Sequence, residues 1–209
     1  MRHLVLLGDS ILDNASYVPG QPSVIEQVRR FLLQDWKATL LAVDGSIIED
    51  VPEQLSAVPE DATHFVVSVG GNDALNEFQV VDEVAATVGE ALVILDDLRS
   101  RFTAAYRQML DAVLERGLPT AVCTIYDAIP DLTGRERAAL ALFNEIILRE
   151  AFKRGLAVVD LRIVCDRASD FSHLSSIEPS MPGGLKIARA ISEFASGGGP
   201  GMNRSVVYI

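Results

Sequence analysis

Five short apolar runs recur along the chain, and they constrain its fold more than any other feature of the sequence. The runs are HLVLL (3–7), ATLLAV (38–43), HFVVSV (64–69), TAVCTI (120–125) and LAVVDL (156–161). Each has the length of a β-strand, and none alternates apolar and polar residues as a strand with one face in water does. Continuous apolar strands are typical of a parallel sheet that is covered on both faces.

Amphipathic segments separate these runs, with apolar residues at helical spacing and proline or glycine near their ends. The predicted helices cover 22–35, 99–116, 134–154 and 183–195. Repeated alternation of strands and helices predicts an α/β fold in which helices pack on both faces of a parallel sheet. We expect one domain over residues 1–196, followed by a glycine-rich C-terminal tail over 197–209.

Composition narrows the classes of function. The chain of 209 residues has a formal net charge of −11, which argues against a nucleic-acid partner because phosphate contacts need basic patches. No apolar run reaches the roughly 18 residues of a membrane span, and the first is too short for a signal-peptide core. We therefore expect a cytoplasmic protein without a membrane span. Cys123 and Cys165 are expected to be free buried thiols, and no metal site is expected from such scattered cysteines and histidines.

Glycines and small polar residues follow the first three runs, at the sheet edge where open parallel sheets bind ligands. The segments are Gly8-Asp9-Ser10, Asp44-Gly45-Ser46 and Gly70-Gly71-Asn72-Asp73. Each alone is also an ordinary turn. Together they predict backbone N–H groups and the Asn72 amide directed at one small negative charge, as in an oxyanion hole. Ser10 is then a candidate nucleophile, and His173 is the only histidine beyond residue 64 that could be its base.

With these three segments the chain resembles the SGNH hydrolases, also called the GDSL-type esterase/lipase family. The resemblance implies a flavodoxin-like three-layer α/β/α sandwich with a five-stranded parallel sheet of order 2-1-3-4-5. It further implies ester hydrolysis through an acyl-enzyme on Ser10. The oxyanion hole would be formed by the Ser10 and Gly45 amides and the Asn72 side chain.

The fourth block of the family, D-x-x-H before the last helix, fits this chain in two registers. Asp170 and His173 have the right internal spacing but lie five residues too early relative to the helix. In the other register Ser175 and Glu178 take the positions of aspartate and histidine. An imidazole with a pKa near 6.5 suits a serine base at neutral pH better than a carboxylate with a pKa near 4.3. The prediction is therefore that His173 deprotonates Ser10 and Asp170 orients the imidazole.

The sequence thus predicts a serine ester hydrolase that cleaves small acyl or acetyl esters and needs no cofactor. The alternative is a weak or inactive small-ligand-binding protein of the same fold that lacks a proper histidine base. The substrate in the first case is a small-molecule ester, and the oligomeric state stays open. The apolar residues Phe78, Val80, Val81 and Leu92 either line an acyl pocket or belong to a helix packed on the core.

Overall fold

Within residues 1–197, five parallel strands form one sheet in the order β2-β1-β3-β4-β5, as predicted. The strands are β1 (Arg2–Gly8), β2 (Trp36–Leu40), β3 (His64–Ser68), β4 (Thr120–Cys123) and β5 (Ala157–Val159). This computed structural model describes residues 1–197, so the tail predicted over 197–209 lies outside the described residues apart from its first position. Strand β1 is the second strand of the sheet and pairs with β2 on one side and β3 on the other, so its carboxyl end lies between the ends of two neighbouring strands.

In the described part of the chain, seven α-helices connect and cover the strands. They are α1 (Val24–Phe31), α2 (Val51–Ser56), α3 (Gly71–Asn76), α4 (Val88–Leu114), α5 (Gly134–Lys153), α6 (Leu161–Val164) and α7 (Met181–Ala195). Short 3-10 turns cover Ala15–Tyr17, Ile48–Asp50, Phe78–Asp82 and Ala168–Asp170. Within residues 1–197, no helix is both long and apolar enough to cross a membrane.

The packing of β1 explains why its sequence is apolar throughout. Leu4 and Leu6 pack into a core shared with α1 and α7, whereas Val5 and Leu7 pack into a second core shared with α4 and α5. All four side chains have no solvent exposure. Because successive strand side chains point to opposite faces, a sheet covered on both faces needs apolar residues at every position.

Helix α4 begins eleven residues before the predicted start at residue 99. Its first turns carry exposed apolar side chains, including Val88, Leu92 and Val93, so no single buried stripe marks them in the sequence. A local signal does exist, because the Thr87 hydroxyl accepts a hydrogen bond from the Glu90 backbone N–H at 3.1 Å. A threonine three residues before a glutamate is a typical helix start.

Candidate functional site

The end of β1 requires a glycine at position 8. Gly8 has φ +120°, and a Cβ atom placed there would lie 1.7 Å from the backbone oxygen of Ser68 on β3. The next residue, Asp9, donates its backbone N–H to the same Ser68 oxygen at 2.9 Å. Only glycine allows the two strands to approach this closely, so the first residue of the GDS segment has a structural role.

Ser10 lies on a tight turn immediately after this contact. The Asp9 carbonyl accepts hydrogen bonds from Leu12 and Asp13, and the Asp9 carboxyl oxygen Oδ1 accepts one from the Ile11 N–H at 3.2 Å. Ser10 is 6% exposed. Its backbone N–H donates to no acceptor within residues 1–197, so it is free to bind an oxygen in the cavity described below.

The loops after β2 and β3 meet beside this turn. The Asn72 side chain, on the first turn of α3, donates from Nδ2 to the Ser46 carbonyl at 2.9 Å, which leaves its second amide hydrogen available. Gly45 precedes Ser46, has φ +82° and is exposed. Its N–H, like that of Ser10, donates to no acceptor in the described part of the chain. Ser10 and Asn72 both line the cavity described below, whereas Gly45 does not.

A carboxylate lies next to the Ser10 hydroxyl. Ser10 Oγ donates to Glu178 Oε1 at 3.3 Å, and Glu178 is only 4% exposed. The second carboxylate oxygen, Oε2, is buried and has no hydrogen-bond partner among the described residues. The side chain therefore points into the site without being held there by a cation.

A short hairpin over residues 171–179 positions Glu178. Phe171 and Pro179 pair as an antiparallel bridge, and the Ser172 N–H donates to the Glu178 carbonyl at 2.9 Å. Asn14 from the β1 loop donates to the Pro179 carbonyl at 2.9 Å. The buried Tyr126 hydroxyl, which follows β4, donates to the carbonyl of Ile177. These contacts hold residues 177–179, which form the second half of the hairpin, next to Ser10.

The same hairpin places Asp170 and His173 differently from the predicted dyad. His173 lies at the tip, is exposed and does not line the cavity at Ser10. Asp170 is buried, and its carboxylate accepts from Lys186 Nζ at 2.7 Å and from the Arg167 N–H at 3.0 Å. Within residues 1–197 no hydrogen bond joins Asp170 to His173. The structure thus follows the register in which Glu178, and not His173, faces Ser10.

Burial governs the acid groups of the site. Burial raises the pKa of Glu178, and the nearby hydroxyls of Ser175 and Ser10 offset this only in part. Burial also raises the pKa of Asp9 to about 8, against the effect of the Ile11 N–H. Asp73, on α3, has its pKa raised to about 6, mainly by burial. In the described residues, no group of three or more His, Cys, Asp or Glu side chains is arranged to hold a metal ion.

A largely apolar cavity of about 110 Å³ opens beside Ser10, and we call it the Ser10 cavity. Its polar lining residues are Asp9, Ser10, Asn72, Glu77, Glu136 and Glu178. Its apolar wall includes Ile11, Ala74, Leu75, Phe78, Val80, Val81, Ile125, Tyr126, Ile129, Leu132, Ala139, Leu140, Phe143 and Ile177. Of the residues that the sequence left open between pocket and core, Phe78, Val80 and Val81 line the cavity.

The α5 contribution to this wall is not apparent from the sequence. Leu140 and Phe143 belong to an apolar stripe at helical spacing, which predicts only that they face the interior. Both do pack on the core, and both also line the Ser10 cavity. Leu92 does neither, because it lies on the exposed part of α4.

The fold and the site define an α/β protein with a buried serine after its first strand, beside an apolar cavity. The chain belongs to the GDSL-like lipase/acylhydrolase family, whose model matches residues 6–183. It is therefore a member of a hydrolase family, and the predicted family resemblance is confirmed. No curated protein sequence matches the chain.

Solved structures of similar fold include several esterases and lipases. An extracellular lipase from Streptomyces rimosus is 17% identical, with a TM-score of 0.67, over 95% of this chain and 100% of that one. The lipase Lip_vut3 from a goat rumen metagenome is 15% identical, with a TM-score of 0.71, over 93% and 97%. The W215I variant of Axe2, an acetyl xylan esterase from Geobacillus stearothermophilus, is 15% identical, with a TM-score of 0.66, over 98% and 97%. At such identities the likeness shows the fold alone.

Proposed function

We propose that this protein is a serine ester hydrolase that cleaves small acyl esters through an acyl-enzyme on Ser10. The observation that carries the proposal is the position of the Ser10 hydroxyl, which lies at an apolar cavity and donates to a buried carboxylate. A hydroxyl is a weak nucleophile unless an adjacent group accepts its proton, and this arrangement supplies an acceptor.

Free hydrogen-bond donors around Ser10 support an oxyanion hole. At the Ser10 cavity, the Ser10 N–H has no acceptor in the described residues and Asn72 retains one free amide hydrogen. The Gly45 N–H also has no acceptor there, but Gly45 lies on the neighbouring loop and does not line the cavity. Donors aimed at the oxygen that becomes negative in the transition state typically contribute about 3–4 kcal/mol each. In this proposal the acyl carbonyl lies between Ser10 and Asn72, with its oxygen towards these donors.

The Ser10 cavity favours a short alkyl chain as the acyl group. An apolar protein cavity of about 150 Å³ holds one benzene molecule, and the Ser10 cavity measures about 110 Å³. By proportion it accommodates roughly four carbons. We therefore expect butyrate or hexanoate esters to be cleaved faster than acetate esters, whose acyl group leaves most of the apolar wall uncovered.

Hydrolysis of p-nitrophenyl esters from acetate to octanoate tests this function. The wild type is expected to release nitrophenol with a maximum rate at four to six carbons, by the size argument above. Ser10→Ala should abolish turnover, whereas Ser100→Ala, which removes an exposed hydroxyl on α4, should leave it unchanged. Turnover that survives Ser10→Ala would show that Ser10 is not the nucleophile.

A second function, a small-ligand-binding protein with little or no catalysis, is favoured by the carboxylate that replaces an imidazole at Ser10. A binder would take up butyrate or hexanoate in the Ser10 cavity and hydrolyse none of the esters. Calorimetric titration with sodium hexanoate distinguishes the two. Saturable binding without ester turnover supports the binder and excludes the hydrolase.

A further inference from the structure

We propose that Glu178 is the general base of the Ser10 site, so that the catalytic pair is a serine and a glutamate without histidine. This inference rests on the proposed function and names a catalytic residue for it. The Ser10 Oγ to Glu178 Oε1 distance of 3.3 Å is within the reach expected of a base in an unliganded site.

The hairpin fixes Glu178 through its backbone and not through its carboxylate. The backbone of its neighbours is held by Asn14 and Tyr126, while the carboxylate interacts with the hydroxyls of Ser10 and Ser175 and with no cation. A buried carboxylate that served stability alone would normally have an ion-pair partner. Glu150 on α5 provides the contrast, since Arg107, Lys153 and Arg154 all contact its buried carboxylate.

Besides the hydroxyls of Ser10 and Ser175, the groups that interact electrostatically with Glu178 are acids and phenols. They are Asp9 after β1, Asp44 after β2, Tyr17 in the β1 loop and Tyr126 after β4. No lysine or arginine is among these groups. Burial without a cation raises the pKa of Glu178 above its usual range, which makes the carboxylate a stronger base than an exposed glutamate.

The proton balance of the reaction is complete with one carboxylate. As Ser10 Oγ bonds to the acyl carbon, its proton passes to Glu178. The protonated Glu178 then gives that proton to the alcohol oxygen as the ester C–O bond breaks. In the second half, water attacks the acyl-enzyme, Glu178 takes the water proton, and the proton returns to Ser10 Oγ as the acid leaves.

Two other groups could be the base, and the structure places both less well. His173 is exposed at the hairpin tip and does not line the Ser10 cavity. Asp9 lines the cavity, but its carboxyl oxygen Oδ1 accepts from the Ile11 N–H, and the Ser10 hydroxyl donates to Glu178. With a pKa of about 8, Asp9 is mostly protonated at neutral pH and cannot accept a proton.

The rate at which a fluorophosphonate labels Ser10, followed by intact mass spectrometry across pH 4–9, tests the inference independently of any ester substrate. Labelling forms a bond from Ser10 Oγ to phosphorus and expels fluoride, and the serine proton goes to the base. Glu178→Gln should label at least about 100-fold more slowly, as general-base catalysis contributes 10²–10⁴-fold. It should also lose the rise of rate with pH. Glu193→Gln, which removes an exposed carboxylate from α7, should behave as wild type.

Glu178→Asp keeps a carboxylate one methylene further from Ser10 and tests the same point if the glutamine variant fails to fold. It should label slowly but retain the rise of rate with pH, and thermal unfolding verifies that each variant is folded. Labelling of Glu178→Gln at the wild-type rate would overturn the inference and leave Ser10 as the nucleophile. Slow labelling of His173→Ala with normal Glu178→Gln would overturn it in favour of His173. If the wild type does not label at all, both the inference and the proposed function fail.

Discussion

Replacing Asp9 by asparagine is expected to make the protein more stable relative to wild type as pH rises. The pKa of Asp9 is about 8 in the folded protein, raised mainly by burial from an ordinary value of 3.8. Between these values the folded state holds a proton that the unfolded state has released. The contribution of Asp9 to stability is therefore fully present below pH 3.8 and is lost as pH rises towards 8. Asparagine does not titrate, so the variant avoids this loss.

The size of the effect follows from the width of that window. One pH unit corresponds to about 1.4 kcal/mol, and roughly three units separate 3.8 from pH 7. Between pH 4 and pH 7, the free energy of unfolding of Asp9→Asn should thus increase by about 4 kcal/mol relative to that of wild type. The asparagine oxygen can still accept from the Ile11 N–H, so this bond need not change. Its extra amide hydrogens add a cost that does not depend on pH.

Urea unfolding at pH 4.5, 5.5, 6.5 and 7.5 measures the difference. Glu26→Gln provides a control of opposite sign. The pKa of Glu26 is lowered, first by the Ser23 backbone N–H, so its stabilisation is present above pH 4.5 and is lost only below it. From pH 5.5 upwards the Glu26→Gln curve should run parallel to wild type, while the Asp9→Asn curve diverges from it. A difference for Asp9→Asn that stays constant with pH would refute the burial argument.

Three further substitutions test the strand end and the cavity. Gln54→Ala removes the side chain that accepts from the Gly8 N–H at 2.7 Å and donates to the Gly8 carbonyl at 2.8 Å. Urea unfolding should show that the free energy of unfolding falls by about 2–4 kcal/mol. A fall of less than about 0.5 kcal/mol would contradict this. Gly8→Ala should prevent folding or cost more than about 4 kcal/mol by circular dichroism, because its Cβ would overlap the Ser68 carbonyl. Ala139→Trp, which fills the Ser10 cavity, should lower kcat/KM for hexanoate esters at least about tenfold more than for acetate esters. Ala138→Trp, on the exposed face of α5, should leave this ratio unchanged.

The strands could be predicted because the strand signal is local, whereas their order was implied only by the family resemblance. Each apolar run is a property of a few consecutive residues, and both faces of β1 are buried, so Leu4 to Leu7 have no polar alternation that would obscure the pattern. The glycine at position 8 could likewise be read from the sequence as a turn. Its second role, contact with the Ser68 carbonyl, depends on the pairing of β1 with β3 and appears only in the structure.

The identity of the group at Ser10 could not be derived in the same way. The spacing D-x-x-H selected Asp170 and His173, but spacing does not record which charges lie nearby in space. Lys186 on α7 is the partner of the Asp170 carboxylate, and the bridge between Phe171 and Pro179 turns His173 outwards. Both are contacts between segments. The pKa values of isolated side chains favoured histidine, and burial, which changes those values, was unknown at that point.

Asp9 and Glu178 are two of the four carboxyl groups that line the Ser10 cavity, and a serine–glutamate pair works only if the protonation states of these two differ at the working pH. The charge of Glu178 helps to raise the pKa of Asp9, and no cation is among the groups that shift the pKa of either carboxyl. Asp9 is buried at the turn after β1, and burial raises its pKa to about 8, so it keeps its proton at neutral pH. A protonated Asp9 spares Glu178 a neighbouring negative charge and lets Glu178 ionise first. Asp9→Asn should therefore preserve the fast labelling of Ser10 near neutral pH, whereas Glu178→Gln should abolish it. If both variants lost labelling equally, the two carboxyl groups would have to act together in the proton transfer.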